Sequence, residues 1–166
     1  MLRFVFMTGI TKFSQLSIFS ELNNITNVSM DEPYAGICGI TKEELVTQMS
    51  DDIDDLAESL EMTREKTIEE LKSHYDGYHF TWPSPDIFNP YSLLNCFAKQ
   101  DLRAFWFESG TPVYLINMMR KFKVLPSMLG RMRAKASSFD AATEKMTSLL
   151  PLLYQSGYST IKGYEK

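Results

Sequence analysis

Residues 7–14 read MTGITKFS and follow the apolar run RFVFM at 3–7. Glycine, lysine and hydroxyls after a β-prone run are the residue types of a loop that grips phosphate. A nucleotide-binding P-loop has the spacing G-x-x-x-x-G-K-[ST]. Its glycines let backbone N–H groups curl around the phosphates, its lysine adds a point charge, and its final hydroxyl meets magnesium. Gly9-Ile10-Thr11-Lys12 has no second glycine before the lysine, β-branched Ile10 suits a positive φ poorly, and Phe13 stands where the hydroxyl belongs. The stretch is therefore not a P-loop, and the sequence offers no strand ending in paired acids of the Walker B kind. A different role fits it. In open α/β sheets ligands bind at the carboxyl ends of strands. Thr8 lies at such an end if 3–7 is a strand buried on both faces. There its hydroxyl can sense a terminal phosphate or attacking water without gripping the nucleotide.

Working outward, 25–30 reads as a second short strand. From Thr41 the apolar period becomes three to four residues. Thr41-Lys42-Glu43-Glu44 has the capping-box pattern, and Leu45, Val46, Met49, Ile53, Leu56, Ala57 and Leu60 then fall on one stripe. The pattern predicts one helix of about 19 residues. Thr63 is placed to cap a second helix that ends near Asp76-Gly77, because glycine tolerates a left-handed helix end. Two short strands are expected near 78–80 and 86–88. A helix follows from Asn89-Pro90, and another is capped by Thr111 with Pro112 in its first turn and runs to about residue 120. A last helix over about 140–155 and a closing strand in YSTIKGY (158–164) complete the reading.

The totals bound the function. The net charge of −4 gives no overall reason to expect nucleic acid or an anionic membrane. The apolar opening is too short for a membrane span and lacks a cleavage-site pattern, so a cytoplasmic chain with two free thiols, Cys38 and Cys96, is expected. His74 and His79, five apart, fall on different faces of a helix and make poor metal partners. Charge is uneven: 43–70 holds eleven acids and two bases, whereas 120–135 holds six bases and no acid. Arg120, Lys121, Lys123, Arg131, Arg133 and Lys135 read most plainly as a solvated face, with a nucleic-acid or partner surface as the functional alternative. Glu108 has no partner carboxylate, and Ser109 lacks the G-x-S-x-G setting of a hydrolase nucleophile.

Six blocks carry a resemblance: FMTGITKFSQLSIFSELNNITNVSMD (6–31), YAGICGITKEEL (34–45), HYDGYHF (74–80), FNPYSLLNCF (88–97), FWFESGTPVYLI (105–116) and LLYQSGYSTIKGY (152–164). In this order they resemble the AAA-ATPase-like domain of bacterial, Bacteroidetes-type proteins, usually fused to a nuclease-like domain of the PD-(D/E)XK superfamily. The resemblance implies a fold with an α/β remnant of a P-loop NTPase sheet over 1–35. A mainly α-helical lid with short strands, winged-helix-like in one variant, would follow over 36–166. It implies that the Walker A and Walker B elements lie upstream of the TGITKFS block and that the nuclease-like domain follows residue 166. Pro85-Asp86 is not followed by the (D/E)-x-K of such a nuclease. On this reading the chain alone is an inactive sensor and lid portion with no cofactor of its own. ATP and magnesium belong to the intact protein, with Thr8 and Lys12 nearest the nucleotide. The expected partner is the N-terminal ATPase half or a second copy, with nucleic acid as second choice and no membrane.

Overall fold

The computed structural model describes residues 3–9, 26–106, 112–129, 132–139 and 146–165. Among them the chain is mainly α-helical, with seven helices and one small two-stranded antiparallel sheet. It divides into two compact units. The larger comprises Val28–Tyr114 and Thr160–Lys166, and the smaller Met1–Asn27 and Leu115–Ser159.

The larger unit begins with a 3-10 turn, Glu32–Tyr34, and strand β1, Ile40–Thr41. Helix α1, Lys42–Gln48, starts at the expected capping box: Thr41 Oγ1 accepts the Glu44 N–H at 3.2 Å, and Glu44 Oε2 accepts the Thr41 N–H at 2.8 Å. These hydrogen bonds, led by that from the Thr41 backbone, hold the Glu44 carboxyl below its ordinary value. The single long helix expected here is two helices. Met49 leaves helical geometry at φ −117°, ψ 30°, and α2 covers Ser50–Ser59. Asp51 and Asp52 sit in the first turn of α2, where carboxylates favour a helix start. The apolar stripe survives the break, because Leu45, Ile53 and Leu56 are all fully buried. Arg64 ties the start of α3, Arg64–Tyr75, back to α2 through the Ser50 carbonyl and hydroxyl, each at 3.0 Å, and the Asp54 carboxylate.

Helix α3 ends as read, with Gly77 at φ 96° just past Asp76. Strand β2, Ile87–Phe88, pairs with β1 in the register Ile40 with Phe88 and Thr41 with Ile87. Of the strand expected at 78–80, Tyr78 alone bridges to Ile87. The excursion closes on itself, because the Asn89 N–H donates to the Tyr75 carbonyl at 2.9 Å. Asn89 also caps α4, Pro90–Lys99, accepting the Ser92 N–H at 2.9 Å. Leu45, Ile53, Leu56, Leu71, Phe88, Leu93, Cys96 and Phe105 form one core, and Tyr75 joins it while its hydroxyl donates to the Arg103 carbonyl at 2.9 Å.

In the smaller unit α5, Pro112–Phe122, crosses from the larger one, and its inner residues Leu115, Met118, Met119 and Phe122 pack on Leu149, Leu152 and Leu153. A 3-10 turn, Pro126–Met128, a short α6, Ala136–Phe139, and α7, Leu150–Gln155, follow. The helix read over 140–155 is thus confined, among the described residues, to α7. Pro151 explains its start, since a proline has no N–H to donate and is tolerated only in a first turn. Among the described residues, two expected strands are not formed. Residues 3–7 form no strand and are exposed, Phe4 at 80%. Residues 26–28 have no regular structure and 29–30 form a turn, with Ile25 outside the described residues. The expected closing strand at 158–164 is also absent, because side chains take the place of a hydrogen-bonded ladder there. No described helix is long and apolar enough to cross a membrane.

Candidate functional site

Among the described residues, a cluster of polar side chains around the buried His79 lies in the excursion between α3 and α4. The stop at Asp76-Gly77 turns the chain, the Tyr78–Ile87 bridge folds it back, and His79 is thereby carried inward to 4% exposure. Both ring nitrogens are engaged: Nε2 lies 2.8 Å from Asp86 Oδ1, and Nδ1 lies 3.0 Å from Ser84 Oγ. Trp82 packs against the ring edge-on at 5.0 Å. The main chain of His79 is held as well. Its N–H donates to Thr160 Oγ1 at 2.6 Å, and its carbonyl accepts from the same hydroxyl at 3.2 Å. Nearby, Asp76 accepts the Gly77 N–H at 2.7 Å. Burial, reinforced by the Asp86 charge and opposed by that bond, raises its carboxyl above the ordinary carboxylate value.

Serine, imidazole and carboxylate in a row are the parts of a nucleophile relay. The geometry assigns them a different task. A hydroxyl can accept from a ring N–H or donate to a bare ring nitrogen, so the Ser84–His79 contact alone does not make Ser84 a nucleophile. The Ser84 hydroxyl also donates to the Thr81 carbonyl at 3.0 Å, and it sits between Pro83 and Pro85. A hydroxyl bonded to both the ring and the Thr81 carbonyl, on a residue braced by two prolines, makes a lock for the turn. Among the described residues no group of three or more His, Cys, Asp or Glu side chains could hold a metal.

The residues singled out from sequence are not gathered in this cluster. Thr8 is exposed in a segment without regular structure. Lys12 and Arg131 lie outside the described residues, as do Thr111, Glu108 and Ser109. Arg120, Lys121, Lys123, Arg133 and Lys135 are exposed on the smaller unit, with Lys121 Nζ 5.7 Å from the Phe122 ring centre. Sequence reading named His79 only as a poor metal ligand and missed Ser84, Asp86 and Thr160. Ser84 and Asp86 had a local signal, a histidine followed within seven residues by a hydroxyl and an acid. Thr160, 81 positions away, had none.

No protein-family model matches the chain, and no solved structure matches it. A protein of Azotobacter chroococcum mcd 1, titled "Uncharacterized protein in vnfD 5'region", is 30% identical over 159 residues. The match covers 96% of this chain but 28% of that protein, so the chain spans little more than a quarter of its relative's length.

Proposed function

We propose that the chain is the sensor and lid portion of an AAA-ATPase-like protein and cannot hydrolyse nucleotide by itself. The observation that carries this reading is the order of six sequence blocks running from residue 6 to residue 164. Two further observations support it. Neither Gly9-Ile10-Thr11-Lys12 nor any other stretch supplies the amide cradle of a triphosphate site. The relative is a much longer polypeptide, as expected of a segment that works within a larger chain. In the intact protein Thr8 and Lys12 lie nearest the phosphates of magnesium-ATP, beside an α/β sheet completed by strands that this segment lacks. The partner is the ATPase half that supplies them, and a second copy of the chain is the alternative.

Calorimetric titration with magnesium-ATP tests the reading. The expected result is no saturable heat at micromolar ligand and no phosphate release above the uncatalysed rate. A one-to-one isotherm with micromolar Kd would overturn it.

One observation favours a second reading, an interaction with nucleic acid: Arg120, Lys121, Lys123, Arg133 and Lys135 are all exposed on the smaller unit. Five phosphate contacts would give a log–log salt slope of about −4.5, so a gel shift at low salt that vanished on adding salt would favour it. The eleven acids of 43–70 rank it second, because they repel the same polyanion.

A further inference from the structure

The total charge of −4 conceals one acid-free stretch. Between Glu108 and Asp140 the chain carries six bases and no acid. Charge is felt over about 8 Å at physiological salt, so a partner meeting this stretch senses the local sign rather than the total. Arg120, Lys121, Lys123, Arg133 and Lys135 are exposed on the smaller unit. Lys123, at φ 55°, ends α5, and its N–H donates to the Arg120 carbonyl at 3.2 Å. Beyond it the apolar residues divide. Val124 and Leu129 pack against the core around Leu149, Leu152 and Leu153. Leu125 and Met128, between them, are 62% and 56% exposed. The Met128 N–H donates to the Leu125 carbonyl at 2.9 Å, and side chains three apart in a 3-10 turn eclipse one another. Leu125 and Met128 therefore stand side by side in solvent, with Met132 also exposed shortly after them in the chain.

We propose that this face of the smaller unit is a docking site for an anionic phospholipid surface. Leu125 and Met128 enter the boundary between headgroups and acyl chains, and Arg120, Lys121 and Lys123, just before the turn, meet the lipid phosphates. Charge complementarity gives the sign of the partner, and the paired apolar side chains give its kind. Duplex DNA rewards the bases alone, because leucine and methionine have no flat face to stack on a nucleobase. A lipid interface rewards both. Each base near an anionic leaflet strengthens attachment roughly fivefold, and each buried methylene roughly fourfold. Lysine and arginine stems suit such an interface, since they lie along apolar surface while their charge stays in water. The turn is ready for this use. Val124 and Leu129 hold it to the core, so Leu125 and Met128 can leave water without unpacking anything beneath them.

Sedimentation with lipid vesicles tests the docking. The protein is expected to pellet at low salt with phosphatidylcholine vesicles containing about a third phosphatidylglycerol, and at least about tenfold less with phosphatidylcholine alone. Lys121→Gln with Lys135→Gln should weaken attachment to the anionic vesicles about tenfold or more. Leu125→Ser with Met128→Ser keeps every charge and should weaken it at least as much. All of these side chains are exposed, so both variants are expected to keep the circular dichroism of the wild type. A polarity-sensitive fluorophore on Met128→Cys, in a Cys38→Ser chain whose other thiol is the buried Cys96, should shift to the blue with anionic vesicles. Variants of either kind that bind as the wild type does would overturn the proposal, as would a fluorophore that stays in water. So would failure to bind anionic vesicles, whether the face is then found to hold duplex DNA in a gel shift or a second copy in sedimentation. No measurement involves nucleotide, so the result stands apart from the ATPase-like reading.

Discussion

Phe88→Ala is expected to destabilise the larger unit by about 3–5 kcal/mol, the usual cost of removing a buried aromatic side chain. Phe88 is 1% exposed and is among the largest fully buried side chains of the described residues. It belongs to a strand of two residues, so its backbone supplies little ladder, and its ring joins a core shared by α1 to α4. No neighbour can collapse into the space without moving a helix. A domain of this size has a total stability of about 5–15 kcal/mol, so the change removes a large part of it. Urea unfolding followed by circular dichroism measures the effect. With a slope of about 2 kcal/mol/M, the midpoint should fall by roughly 2 M. A shift below about 0.3 M would mean that Phe88 is not the centre of this core.

The second large effect is expected from adding a single methyl group. Gly39 precedes β1, and a Cβ placed there would lie 2.5 Å from Ile87 Cδ1 and 2.8 Å from Ile87 Cβ. Real Cβ atoms do not approach so closely. Ile87 cannot step aside, because it is 3% exposed and its main chain is bonded to Tyr78 in both directions. Gly39→Ala should therefore push β1 from β2 and cost about 1–3 kcal/mol, the range of overpacked cores. The cause is specific enough to be reversed. Ile87→Ala alone should cost about 2–5 kcal/mol, but the pair Gly39→Ala with Ile87→Ala should cost less than the sum of the two. Additivity within about 0.5 kcal/mol would show that the methyl group and the isoleucine do not compete for one space.

Much of the helical half could be read from residue order, for identifiable reasons. Thr41, Thr63 and Asn89 each cap a helix through an N–H three residues on, a bond encoded within four positions. The stop at Asp76-Gly77 is equally local. The strands were read less well, because pairing is decided far along the chain. RFVFM has strong β character yet forms no strand, and Ile87–Phe88 pairs with residues 40–41, nearly fifty positions earlier. The break at Met49 escaped notice because the apolar stripe runs through it unaltered. The polar cluster was half legible: His79, Ser84 and Asp86 are close in sequence, but the hydroxyl that bonds the His79 main chain comes from Thr160, 81 positions later.

The bond from the Asn89 amide to the Tyr75 carbonyl joins α3 directly to α4 at the root of the excursion they enclose. Evolution can therefore remodel the far end of that excursion, Trp82–Pro85, without disturbing the register of the helices below. Pro83 and Pro85 already face solvent there. Homologues should accordingly differ in length at this tip while keeping its two roots the same distance apart, and a peptide tag spliced between Pro83 and Ser84 should be carried with both helices intact.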